Sequence, residues 1–212
     1  MTNLIGDLEG YGLRISGITP PSADDNLPDW ATAVVLISPL EPEFWSVFCE
    51  SPEWRDGRSD PVDRWSKRVL GEVAAAYDGV AYFPFGGAPF HPFYSWAIRS
   101  GAFCASPVAF LADGTAGLFT SFRGAIALRD APKVVLEPPP CATCLAKPCV
   151  TACPASALVP AGYDVAACHG YLTGTEGADC LNNGCAVRRS CPIGSSQRPP
   201  AQSAYFMSEF HK

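Results

Sequence analysis

Eight of the ten cysteines in this 212-residue chain fall between Cys141 and Cys191. No other feature limits the fold as strongly. The segment that carries them is otherwise rich in alanine, glycine, serine and threonine. Such a segment buries too little apolar area to fold unaided, and bound metal would supply the missing core. The N-terminus, Met1-Thr2-Asn3, opens without a basic stretch followed by an apolar one. A reducing, cytoplasmic setting is therefore expected, in which clustered thiols hold metal rather than form disulfides.

The spacing narrows the metal. The first group is Cys141-x2-Cys144-x4-Cys149-x3-Cys153-Pro154, and the second is Cys168, Cys180, Cys185 and Cys191-Pro192. Closely spaced thiols wrap a tight loop around one corner of a cubane. A further cysteine before a proline turns away to serve the other cluster. That crossed pattern predicts one [4Fe–4S] cluster on Cys141, Cys144, Cys149 and Cys191. A second would sit on Cys153, Cys168, Cys180 and Cys185. Small neighbours, among them Ala142, Ala146, Ala152, Gly184 and Ala186, let backbone N–H groups approach cluster sulfurs and set the reduction potential. Lys147, Arg188 and Arg189 either offset the negative charge of a cluster, meet an acidic partner, or form a solvated basic edge. The competing reading is a pair of four-thiolate zinc sites in an interaction module. Zinc modules usually pair Cys-x2-Cys knuckles, whereas two Cys-Pro dipeptides end the groups here, which favours iron–sulfur.

The rest of the chain divides from this part near Pro138-Pro139-Pro140, giving an expected α/β domain over 1–137 and a cluster domain over 138–212. Leu13–Ile18 and Thr32–Ile37 read as strands, the second as a nearly continuous apolar run suited to burial. Asp60-Pro61 reads as an N-cap with proline at the first helical position. Val62, Trp65, Val69, Val73 and Tyr77 follow at helical spacing, and Gly79 is a stop. Val80–Phe83 reads as a strand and His91–Ser100 as a helix. Strands are expected at Val108–Leu111, Gly117–Phe122 and Ala125–Leu128, with a turn at Asp113-Gly114. A net charge of −6 argues against nucleic acid as a partner. Apolar runs such as Ala33–Ile37 are too short to cross a bilayer, so no membrane partner is expected. No phosphate-binding Gly-x4-Gly-Lys, dinucleotide Gly-x-Gly-x2-Gly, His-Glu-x2-His or Gly-x-Ser-x-Gly motif occurs.

Cys168-His169-Gly170-Tyr171-Leu172-Thr173, Gly184-Cys185 and Cys191-Pro192 resemble the double-cluster domain of epoxyqueuosine reductase. Trp96–Gly101, Gly117 and Gly124 resemble the region before that family's clusters more weakly. The resemblance implies an α/β (α+β) N-terminal domain of the cobalamin-binding, nitroreductase-like kind. A ferredoxin-like two-cluster domain would follow it and pass single electrons to cobalamin. This chain departs from the family in its Cys144-x4-Cys149 spacing and in Arg188, which stands where a cysteine is expected. The family's catalytic aspartate is not found: the matching stretch reads Phe85-Gly86-Gly87-Ala88-Pro89, without an acid. Epoxyqueuosine reduction is therefore not carried over, and the closer likeness is to a short, ferredoxin-like bacterial branch. The expected function is single-electron transfer by two [4Fe–4S] clusters with a ferredoxin or flavoprotein as redox partner. The alternative is a cobalamin-dependent reductase fed by the clusters.

Seven aromatics lie between Tyr82 and Trp96 around Gly86-Gly87. They read either as a wall for a planar cofactor such as cobalamin, with Phe85, Gly86, Gly87 and Phe90 as contacts, or as an ordinary aromatic core. His91 and His169 read as structural residues before ligands. Cys49 and Cys104 read as buried, inert thiols, and Glu43, Glu50 and Glu53 as a solvated helix face.

Overall fold

A computed structural model describes residues 3–212. The elements begin with helix α1 (Leu4–Gly10), strands β1 (Leu13–Thr19) and β2 (Ala33–Pro39), and helices α2 (Glu43–Cys49), α3 (Pro52–Arg55) and α4 (Pro61–Ala76). Strand β3 (Val80–Tyr82), helix α5 (Phe93–Arg99) and strands β4 (Phe103–Ala105), β5 (Leu111–Asp113) and β6 (Gly124–Leu128) follow. The C-terminal part holds strands β7 (Leu158–Val159) and β8 (Gly162–Tyr163). Its helices are α6 (Val165–Thr173), α7 (Ala178–Asn183), α8 (Ala186–Arg189) and α9 (Pro200–His211). Among the described residues, no helix is long and apolar enough to cross a membrane.

The chain forms two compact units. The first runs to Ala102 and resumes over Ser121–Leu136; the second comprises Phe103–Thr120 and Glu137–Lys212. The first unit is a mixed α/β fold on a four-stranded, wholly antiparallel sheet of order β1-β2-β6-β3. Every residue of β2 and β6 is buried, as continuous apolar runs require when both faces of the sheet are covered. Helix α4 packs on β3 and β6, and α5 on β1 and β2. Helix α4 buries Val62, Trp65, Val69, Leu70 and Val73 on one stripe, the 3.6-residue period seen in the sequence. Its start differs from expectation. Asp60 is left-handed, at φ 52°, and its side chain makes no cap, so only Pro61 keeps its expected role.

An aromatic cluster fills the space beside this helix: Phe44 and Phe48 stack at 5.9 Å, and Trp65 meets them edge-on at 5.5 and 5.8 Å. Glu43 and Glu50 face solvent, but Glu53 does not. Arg68 grips its carboxylate with Nε at 2.6 Å and Nη2 at 3.1 Å.

A second carboxylate is deeper still. The Asp25 side chain is 2% exposed and pairs with Arg99, while the Ser22 amide donates to it at 2.7 Å. Burial alone would raise this carboxyl, but the hydrogen bonds from Arg99 and the Ser22 amide hold it below the usual carboxylate range. A lowered folded-state pKa means stability that is complete above the unfolded value near ~3.9 and lost as pH falls through the folded one. Asp25→Asn should therefore flatten the acid limb of the stability curve below roughly pH 4. At pH 7 it should cost about 3 kcal/mol by leaving Arg99 without its carboxylate, read as a drop in the thermal midpoint.

One expected strand is absent and another is displaced. Asp113 is buried, and its carboxylate accepts the amides of Thr115 at 2.8 Å and Ala116 at 2.7 Å as well as the Thr120 hydroxyl. These bonds wind the chain into a tight loop, so Gly117–Phe122 is not a strand. The expected Val108–Leu111 strand shifts to Leu111–Asp113, paired with Phe103–Ala105. Helix α5 starts at Phe93, behind Pro92, two residues later than expected.

Candidate metal centre

Residues on three separate segments of the second unit line one cavity of about 20 Å³, room for at least one water-sized body. A tight turn at Pro140–Ala142 brings Cys141, with Cys144 just beyond it. A second turn at Pro148–Val150, entered through Lys147 in the left-handed region at φ 41°, brings Cys149. Cys191 arrives from the end of α8, where its amide donates to the Arg188 carbonyl at 3.2 Å. Ser106, Pro107, Leu118 and Pro192 complete the wall. The four sulfurs thus surround an apolar space. Among the described residues, no three His, Cys, Asp or Glu side chains converge on a single metal-ion position.

The loop at Gly117 closes this wall from behind. A Cβ there would lie 2.3 Å from the Ile193 carbonyl and 2.7 Å from the Cys191 sulfur, and the residue has φ +55°. Only glycine tolerates both the contact and the conformation.

Cys104 stands beside this set. The Cys141 S–H donates to the Cys104 sulfur, and Cys104 donates on to the Ala112 carbonyl at 3.8 Å. Burial, the Cys104 hydrogen bond and the neighbouring Cys191 and Cys149 thiols push Cys141 up to about 12. Burial raises Cys149 as well. In the metal-free chain these groups are protonated at neutral pH, so metal uptake would release protons.

Of the other four cysteines, Cys153 and Cys185 pack against the core made by Val108, Leu118, Leu158 and Val187. Helix α6, capped by Asp164, whose carboxylate accepts from the Ala167 amide at 2.9 Å, carries Cys168. Helix α7 carries Cys180 and ends at Gly184, φ +90°, which turns the chain so that Cys185 opens α8. Cys168 is within electrostatic reach of Cys185 and Cys153, and Cys180 of Cys185. Cys153 accepts from the Leu158 amide at 3.4 Å, a backbone donor of the kind that tunes a metal-bound thiolate. The Tyr163 hydroxyl donates to the Cys168 sulfur. Burial pushes Cys168 and Cys180 up, against the opposing pull of the Tyr163 hydroxyl on the first and of the Ala186 amide on the second.

Three features here had no clear signal in the sequence: the Tyr163 donor, the placement of Cys104, and the partly buried Arg188, whose guanidinium lies 4.7 Å over the Phe110 ring. Arg189, by contrast, pairs with Asp179 and donates to the Gly184 carbonyl at 3.0 Å. Lys147 is exposed at the cavity rim. His169 packs edge-on against Phe210 at 4.6 Å.

The aromatic stretch of the first unit divides. Phe93 and Trp96 are buried in the core. His91 sits between Tyr82, at 4.6 Å, and Trp96, at 5.9 Å, and burial lowers its pKa. Gly86 and Gly87 are exposed, Phe90 is 73% exposed, and Phe85 lies half-buried at 5.4 Å from Phe83. The four residues expected at a planar cofactor therefore belong to an exposed loop, not to a closed wall. Cys49 is partly buried, and burial raises its pKa, as suits an inert thiol.

No protein-family model matches this chain, and no curated protein matches it; the chemistry of the two thiol sets rests on their own geometry.

Proposed function

We propose that this is an iron–sulfur redox protein whose second unit carries two [4Fe–4S] clusters and transfers single electrons. The observation that carries the reading is the common cavity wall of Cys141, Cys144, Cys149 and Cys191. Cys153, Cys168, Cys180 and Cys185 would hold the second cluster. A single zinc ion needs four sulfurs about 2.3 Å from one point, whereas a cubane is a body that thiolates surround. Sulfurs spread around a cavity suit the second geometry. Bound there, such clusters supply reversible one-electron chemistry. The chain's own residues exclude water with Leu118, Pro107 and Pro192, and direct the Leu158 amide and Tyr163 hydroxyl at the sulfurs of the second set.

The finer reading of the first unit as a cobalamin-binding, nitroreductase-like domain rests on the sequence resemblance. The exposed Phe90, beside Gly86-Gly87, is the one structural feature that favours a planar ligand there.

One experiment tests both parts: iron, sulfide, zinc and cobalt content of anaerobically purified protein, before and after incubation with cobalamin. About eight irons and eight sulfides per chain are expected from two cubanes. Zinc in their place would reduce the protein to a structural module. Retained cobalt would support the reductase reading, and its absence would leave the electron carrier.

A further inference from the structure

One hydroxyl on the wall of the first thiol cavity is unaccounted for. Ser106 lines that cavity with Cys141, Cys144, Cys149 and Cys191 and is 6% exposed. Its backbone is fixed in a tight loop between β4 and β5. The amide donates to the Phe110 carbonyl at 2.8 Å, and the carbonyl accepts from the Ala109 amide at 2.9 Å. The side-chain oxygen is buried and has no hydrogen-bond partner among the described residues. A hydroxyl left in that state is costly. The wall around it offers little in the metal-free chain. Of its other side chains, proline and leucine accept nothing, Lys147 only donates, and a neutral thiol accepts weakly. Thiolate and sulfide sulfurs around a cluster would be strong acceptors.

We infer that the Ser106 hydroxyl donates a hydrogen bond to a sulfur of the first site when its cluster is bound, and so raises the reduction potential of that site. The inference rests on the two-cluster reading above. Adding one electron, from a ferredoxin or flavoprotein donor, makes and breaks no covalent bond and moves no proton. It adds one negative charge, shared by the sulfurs, so a hydrogen-bond donor favours the reduced state. Ser106 shares its cavity with the first four cysteines and with none of the second four. The second set has donors of its own, the Leu158 amide at Cys153 and the Tyr163 hydroxyl at Cys168. The effect of Ser106 is therefore confined to one site. It is a donor to the cluster, not a ligand of its iron.

The test uses the full chain, reconstituted anaerobically and titrated with dithionite while the reduced clusters are followed by electron paramagnetic resonance. Cys141→Ala, which keeps only the second site, identifies the midpoint of that site. Ser106→Ala should move the other midpoint to more negative potential by about 59 mV, a tenfold change in a one-electron equilibrium, and leave the second unmoved. Its iron should stay at about eight per chain, because no ligand is lost. Electron–nuclear double resonance of protein prepared in light and heavy water should show an exchangeable proton at the reduced first cluster that Ser106→Ala lacks. Ser106→Thr, which keeps the hydroxyl, should restore that proton and most of the midpoint. An unmoved first midpoint, equal shifts at both sites, or a Ser106→Thr shift as large as that of Ser106→Ala would overturn the inference. So would iron loss in Ser106→Ala, or a proton that survives there because water in the cavity is the donor. Wild-type protein without iron would remove the two-cluster reading and this inference with it, whereas full iron with an unmoved midpoint would remove only the role of Ser106.

Discussion

Cys191→Ala should remove about four of about eight irons, and they should be the same four that Cys141→Ala removes. The two residues lie fifty positions apart, yet they line one cavity together with Cys144 and Cys149. Each single variant should leave the same residual resonance spectrum, that of the second site. The double variant should lose no more iron than either single one. Cys168→Ala should remove the complementary four irons and leave the first site's spectrum. Iron and sulfide analysis with spectra of all four proteins reads the result directly. If Cys141→Ala and Cys191→Ala left different spectra, or if the double variant lost all its iron, the two thiols would belong to different sites.

Gly117→Ala is expected to produce a comparable loss without touching a thiol. The added Cβ would meet the Ile193 carbonyl at 2.3 Å and the Cys191 sulfur at 2.7 Å. Both lie far inside van der Waals contact, and the backbone is at φ +55°. The left-handed conformation alone costs about 1 kcal/mol for alanine, and the clash forces the 191–194 segment to move, for a total of roughly 3 kcal/mol or more. Cys191 is the residue displaced, so iron should fall selectively at the first site while the second stays loaded. Gly57→Ala makes a useful control: its backbone is also left-handed, at φ +67°, but nothing lies within 4 Å of the added Cβ. It should cost only the backbone term and leave iron content unchanged. Equal iron loss in both variants would show that general destabilisation, not the position of Cys191, is responsible.

Periodic and covalently local features were legible in the chain. Helix α4 could be read from Val62, Trp65, Val69 and Val73 because a helix that buries one stripe must repeat its apolar residues every three to four positions. Strand β2 could be read from its continuous apolar run. The loop at Asp113 could not be read as such. Asp113-Gly114 signalled a turn, but whether its carboxylate would gather the amides of Thr115 and Ala116 depends on a buried site that no local pattern encodes. The membership of Phe103–Thr120 in the second unit was hidden for a similar reason. The segment precedes β6 of the first unit in sequence, and contact between distant segments leaves no periodic trace.

By itself, then, the sequence determined the chemistry on offer. It supplied eight thiols in two Cys-Pro-terminated groups, small residues between them, and an α/β first half with its main helix and central strand. Cysteine spacing carries this information because short loops constrain which sulfurs can converge. Only the tertiary structure decided what surrounds those sulfurs. It placed Leu118 and Gly117 behind Cys191, set Cys104 against Cys141, and brought the Tyr163 hydroxyl to Cys168. It also set Arg188, partly buried, over the Phe110 ring while pairing the adjacent Arg189 with Asp179. Side chains one position apart on a short helix point in different directions, so their opposite environments follow from packing against Phe110 and Leu118, which lie some seventy residues earlier in the chain.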